Sequence, residues 1–158
     1  MQPLTEKRAT STARKCQGFR QIIALNLSQT ALAKGRARLP EDALVTWVVG
    51  GVLDLQPSSC VDVWHVRAAC HFLTERADQR ACLRVIDQAL VSSGHAIIGR
   101  FAADGPENCS GLPVVRHDAA LLAERFGQDY RLMTSINPDQ HTPWAAIQWF
   151  QFGLFHKV

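Results

Sequence analysis

The stretch that decides the fold is Val61–Ala102, VDVWHVRAACHFLTERADQRACLRVIDQALVSSGHAIIGRFA. It opens on Val61–Ala68, a short β-branched run that reads as a strand. Cys82, Val85, Ile86, Ala89 and Leu90 then recur at helical spacing. Thr74 is the expected cap of that helix and Ser92-Ser93-Gly94 its expected stop. His95–Ala102 follows as a second, buried-type strand. Strand, helix and strand in this order make a crossover unit, and such units build parallel sheets with helices on their faces.

Outward from this unit the alternation continues. Gln21–Leu27 is apolar and β-branched. Ser28 can cap a helix that runs to Leu39, before Pro40, and Ala43–Val49 is a strand closed by Gly50-Gly51. On the other side, Asp118 caps a helix over Ala119–Phe126 that Gly127 ends. Tyr130–Ile136 and Ala145–His156 are two strands joined by a loop over Asn137–Trp144, with no helix between them. Consecutive strands of this kind form a hairpin, so one of them runs antiparallel. In open sheets ligands bind outside the carboxyl ends of the strands. The rim is therefore expected at Asn26-Leu27-Ser28, at Gly50-Gly51-Val52, after Trp64 and after Phe101.

The segment Gly99–Asp118 is unusual in its length and in its Gly, Pro, Asn, Cys and Ser content. Loops this long inside a compact domain are functional or disordered. Its position on the rim favours function, as an ordered flap anchored by Leu112, Val114 and Val115.

The chain has 158 residues, 47% hydrophobic and 20% charged, enough for one globular domain with its own core. The net charge of +3 is too small to argue specific nucleic-acid binding, and part of it is concentrated in a basic tail over residues 1–15. No apolar run is long enough to span a bilayer, so no membrane role and a cytoplasmic location are expected. The five cysteines are widely spaced and include no Cys-x-x-Cys pair, so no metal site or disulfide framework is indicated. Most of them read as small buried hydrophobes. Trp47, Trp64 and Trp149 also read as core, and His71, between Cys70 and Phe72, as a packed residue.

Four segments carry a family resemblance: TWVVGGVLDLQP, VDVWHVRAACHFLTERADQR, DGPENCSGLPVVRHDAALLAERFG and HTPWAAIQWFQFGLFHK. From about Cys16 onward the chain resembles bacterial-type class I S-adenosylmethionine (SAM)-dependent methyltransferases. The Cys-Ser-Gly-Leu-Pro-Val block is the most specific part. The resemblance implies an α/β fold, a Rossmann-like sheet of strand order 3-2-1-4-5-7-6, mostly parallel with a C-terminal antiparallel hairpin. It places SAM against Asn26, Leu27, Gly50, Gly51 and Val52, and brings the loop Cys109-Ser110-Gly111-Leu112-Pro113 over the substrate. His65 and Arg67, after the fourth strand of that fold, are the candidate catalytic groups.

Departures from the pattern accompany it. Nothing before Cys16 resembles the first strand and Gly-rich loop of the family. Asn26 stands where an acidic residue takes both ribose hydroxyls, Gly51 where another lies near the adenine, and Val66 where a third follows the fourth strand. Asp54, the carboxylate left nearby, reads as a turn residue. The expectation is a truncated, degenerate methyltransferase domain over residues 16–158, with weak or absent SAM binding and impaired transfer to a small-molecule acceptor. The alternative is a non-catalytic module for interaction or structure. With its first strand missing, the sheet is expected either to pair Gln21–Leu27 directly with Val61–Ala68, the favoured solution, or to self-associate through exposed edges.

Overall fold

The structure, a computed structural model, describes residues 19, 21–40, 43–57, 59–141 and 147–158. For residues 139–141, 147 and 148 only the backbone is described. The basic tail over residues 1–15, the turn at Thr142-Pro143 and the start of the last strand at Ala145 lie outside the described residues. The chain divides into two compact units, one ending at Leu55 and one spanning Gln56–Val158.

In the first unit, β1 (Ile22–Asn26) pairs in parallel with β2 (Val45–Val49), from Ile22 opposite Val45 to Asn26 opposite Val49. Between them runs α1 (Gln29–Arg36), capped as expected by Ser28, whose Oγ accepts from Ala31 N at 3.2 Å. The helix ends at Arg36, short of Leu39. Pro40 biases the residue before it away from helical geometry, and the chain turns off a few residues earlier. Trp47 packs against the backbone of α1 at Gly35, where an added Cβ would come within 3.2 Å of the indole.

The strands of the second unit are β3 (Val61–Arg67), β4 (Leu90–Phe101), β5 (Asn108–Cys109), β6 (Leu112–Pro113), β7 (Tyr130–Ile136), β8 (Asp139–His141) and β9 (Ile147–Lys157). The main sheet has the order β3-β4-β9-β7, with β8 beside β9, while β5 and β6 pair only with each other. β3 and β4 are parallel, and β9 runs antiparallel to β4, β7 and β8. The crossover and the terminal hairpin expected from the sequence are therefore both formed. Direct pairing of Gln21–Leu27 with Val61–Ala68 is not formed among the described residues. All five residues of β1 pair with β2, and the ladder of β3 is with β4.

Residues paired across neighbouring strands share a face. Ala96, Ile98, Arg100, Gly153 and Phe155 form the face covered by α2 (Arg76–Ala89) and α3 (Ala119–Phe126). Cys82, Val85, Ile86 and Ala89 of α2 are buried there, as their spacing predicts. The opposite face carries Gly99, Phe101, Phe150 and Phe152. Gly99 cannot be replaced freely, because the Phe152 ring lies over its α-carbon.

Four further features depart from the sequence-based expectation. Glu75, not Thr74, is the N-cap of α2. Ser92-Ser93-Gly94 does not stop the helix: the helix ends at Ala89 and β4 begins at once, passing through these residues as a bulge. Ser93 takes a φ of 65° there, and an added Cβ on Gly94 would lie 3.2 Å from Asp62 O of β3. The polar Asp139–His141 is a strand, held by pairing with β9. Trp149 is exposed rather than core: it lies one residue beyond the last β4 pair, Phe101 with Phe150, and stands opposite Asp139 of the short β8.

Candidate functional site

In the first unit the ends of β1 and β2 lie side by side, joined by Gly50 N donating to Asn26 O at 3.1 Å. This brings Asn26, Leu27, Gly50, Gly51 and Val52 to one strand end. The side chains there are already engaged with their own backbone. Asn26 Oδ1 accepts from Ser28 N at 2.9 Å, closing the turn into α1. Asp54 Oδ2 accepts from Gly51 N at 3.3 Å and caps the short 3-10 turn Val52–Asp54, so Asp54 is the turn residue its context predicted. An added Cβ on Gly51 would lie 2.9 Å from that carboxylate oxygen. Leu27 is largely exposed, at 79%.

These residues suit the ribose of SAM poorly. A ribose diol offers two hydroxyl donors and is best met by a carboxylate, which only accepts. Asn26 presents one uncharged acceptor oxygen, one of whose two lone pairs already meets Ser28 N, and an NH₂ group that only donates. The local structure fits a turn better than a diol clamp.

In the second unit His65 pairs with Ile97 and Arg67 with Gly99, so both stand on the face away from α2 and α3. His65 is exposed and Arg67 half-buried. Across the side-chain-free Gly99, the Arg67 guanidinium carbon reaches 4.9 Å from the centroid of the Phe150 ring. A guanidinium at that distance over an aromatic face is a cation–π contact. Burial lowers its pKa from the ordinary arginine value.

The Cys109–Pro113 stretch belongs to a miniature hairpin. β5 and β6 pair antiparallel around Ser110-Gly111, with φ of 53° and 81°. Positive φ at both central residues is the two-residue turn that matches strand twist. The base of the loop is well tied: Val115 N donates to His71 O at 2.8 Å, Val114 N to Glu107 O at 3.0 Å, and Arg116 bonds Gly105 O and Glu107. The tip is held less closely. Leu112 is 58% exposed and is not the apolar anchor expected; Val114 and Val115, half-buried, are. His71 is fully buried, stacked on Phe101 and edge-on to Phe72, as its sequence context suggested.

Sequence reasoning missed a buried polar cluster between β4, α2 and α3. Arg100, 5% exposed, donates from Nη2 to Cys70 O at 3.2 Å and lies 2.9 Å by Nη1 from His117 Nδ1. Desolvation, with Arg100 and Arg125 nearby, pushes the His117 imidazole down to about 4, so near neutral pH Nδ1 is free to accept. Cys70 Sγ and Cys82 Sγ lie 3.0 Å apart beside the same guanidinium. One signal points to this cluster in the sequence: an arginine with the parity of Ile98 in the run HAIIGRFA requires buried partners. Among the described residues no group of three or more His, Cys, Asp or Glu is placed to hold a metal ion, and no helix is long and apolar enough to cross a membrane.

A parallel crossover, strand order β3-β4-β9-β7 and a final antiparallel strand inserted between its neighbours define the class I methyltransferase type of Rossmann-like sheet. Residues 6–98 match the Methyltransferase domain family, and the chain belongs to it. Solved structures agree at the level of fold. The N-methyltransferase NodS from Bradyrhizobium japonicum WM9 is 11% identical with a TM-score of 0.76, over 94% of this chain and 80% of that one. The same enzyme in complex with S-adenosyl-l-homocysteine matches with a TM-score of 0.71 at 10% identity, over 92% and 71% of the two chains. An S-adenosylmethionine-dependent methyltransferase from Mesorhizobium loti reaches 0.71 at 15% identity, over 94% and 85%. No curated protein matches the sequence significantly.

Proposed function

We propose that this chain is a SAM-dependent methyltransferase-fold protein whose cofactor is weakly held and whose transfer to a small-molecule acceptor is correspondingly impaired. The observation that carries the reading is Asn26: its single acceptor oxygen is uncharged and already takes Ser28 N at 2.9 Å, where a carboxylate would have a second oxygen to offer. In this reading Asn26, Leu27, Gly50, Gly51 and Val52 contact the cofactor. His65 and Arg67 face the acceptor, and the exposed tip Cys109–Pro113 closes on it. Transfer from a sulfonium is an in-line displacement, so alignment of the acceptor is the main contribution such residues can make.

Calorimetric titration with SAM and with S-adenosyl-l-homocysteine tests this. The expected dissociation constant is worse than millimolar, and saturable binding at low micromolar concentration overturns the reading. Asn26→Asp is expected to tighten binding by about tenfold or more, since a hydrogen bond to a charged group contributes roughly 1.5–3 kcal/mol. Aspartate can keep the turn with one oxygen and offer the second to the ribose.

A second reading, a non-catalytic module for interaction or structure, is favoured by one further observation. Asp54, the nearest carboxylate in sequence to Gly51, is also committed to its own backbone. No gain in SAM binding from Asn26→Asp selects this reading over the first.

A further inference from the structure

Among the described residues no carboxylate balances the buried cation Arg100. Its guanidinium touches a neutral imidazole and a peptide carbonyl, and among the described residues its buried Nε has no hydrogen-bond partner. The charges acting on it are the sulfurs of Cys70 and Cys82, which favour its charged form, and Arg125, which opposes it. A buried charge without a partner is strongly unfavourable. A thiolate at this place would remove the imbalance, and a thiol beside it would stabilise that thiolate by donating a hydrogen bond.

The sulfurs are arranged for this. Both cysteines are free thiols, 5% and 2% exposed, with Sγ atoms 3.0 Å apart. Cys70 is lowered from the ordinary thiol value, first by the hydrogen bond from Cys82 and also by Arg100, against the opposing effect of burial. Cys82 is raised, by the same hydrogen bond and by burial, and keeps its proton. Beside them is a cavity of about 20 Å³, lined by Cys70, Gln79, Cys82, Arg100 and Arg125 among others, with room for about one water-sized molecule. A guanidinium beside the thiolate and a second thiol in reach are two features of a reactive cysteine; both sulfurs are buried, so the adjoining cavity is where a small oxidant would enter.

We propose that Cys70 and Cys82 form a peroxide-sensitive modification site that closes to an intramolecular disulfide. The Cys70 thiolate attacks one peroxide oxygen, the O–O bond breaks, and hydroxide leaves, giving a sulfenic acid. Cys82 sulfur then attacks Cys70 sulfur and displaces the hydroxyl, which departs as water with the Cys82 proton. In sum two thiols are oxidised to one disulfide and one hydrogen peroxide is reduced to two waters. The sulfurs need to approach by about 1 Å to reach bonding distance. The bond joins the 3-10 turn Cys70–Phe72, which follows β3 and holds Val115 of the long loop, to the middle of α2. Oxidation therefore acts on the base of that loop from below.

The test is made on the full folded chain, reduced, treated with graded hydrogen peroxide, unfolded, alkylated and digested with trypsin. Cleavage after Arg67, Arg76, Arg80 and Arg84 places Cys70 in residues 68–76 and Cys82 in residues 81–84. The expected result is that these two fragments become disulfide-joined, with joint loss of alkylation, at doses that leave Cys60 and Cys109 alkylated. In Cys82→Ser the expected product is a Cys70 sulfenic acid trapped by dimedone. Oxidation of exposed Cys60 while Cys70 and Cys82 stay reduced overturns the proposal, as does a disulfide that joins either of them to Cys60 or Cys109. The unsubstituted chain is sufficient to decide between these outcomes, so a misfolded variant does not obscure them.

Discussion

His117 is held neutral by its surroundings, and that makes one residue a source of pH-dependent stability. Burial disfavours its charged form first of all, Arg100 and Arg125 add to this, Asp118 next in sequence opposes them, and its pKa falls from 6.5 to about 4. Between these values the unfolded imidazole takes up a proton that the folded one refuses. Stability is therefore fully present above about pH 6.5 and declines as pH falls toward 4, by up to the order of 3 kcal/mol. Protonation also removes the acceptor that meets Arg100 Nη1. Urea midpoints measured from pH 7 to pH 4 should shift downward across this window, and His117→Gln should flatten that slope. Asn26 is the other residue whose setting outweighs its identity. That a carboxylate is missing there is plain from the sequence. That the remaining oxygen is drawn into a helix-initiating turn is not, because it depends on the backbone angle at which β1 enters α1.

Elements with a strong apolar period are readable from sequence, and elements without one are not. The expected bounds of β1, β2 and β3 lie within two residues of the observed ends, and the expected apolar stripe of α2 matches its buried face except at Leu90. That residue opens β4 instead. Leu90 and Gly94 sit at a bulge whose backbone is fixed by β3, a contact that local sequence does not encode. Asp139–His141 has no apolar residue to announce a strand and exists because β9 offers it an edge. The hairpin over Asn108–Pro113 is hidden for a different reason: its turn is Ser-Gly, where the usual signal is Asn-Gly or Asp-Gly. Ser110 holds a φ of 53°, which a serine adopts at some cost. Ser110→Asn should relieve it and stabilise the fold by roughly 0.5–1 kcal/mol, read as a rise in Tm. A fall in Tm would mean that the tip is not held in this turn.

At the scale of the whole molecule, the fold is legible because order and spacing of strands and helices leave few topologies open. The site is less so, since its candidate residues come from strand ends and a loop whose side-chain contacts are set by tertiary packing. His65 and Arg67 share a face, as their parity requires, yet Arg67 is occupied with Phe150 from a strand more than eighty positions later. Such long-range dependence is concentrated in β9. It pairs with β4 over seven residues from His95 to Phe101 and with β7 from Tyr130 to Ile136. Removal of residues 147–158 should therefore abolish slow hydrogen exchange along β4 as well as β7, and persistent protection of Ile97 and Ile98 amides would contradict this.

The central position of β9 also has a temporal meaning. On the ribosome β4 and β7 emerge before it, each with the side meant for β9 still bare. Until Ile147–Lys157 follows them out, Phe101, Ile98 and Ala96 lack the strand that covers their neighbours, and the nascent second unit exposes two sticky edges of matching pattern. Those edges can meet each other, or the same edges on an adjacent nascent chain. For this protein, the interval between synthesis of β7 and release of β9 is when a holding chaperone has the most to protect.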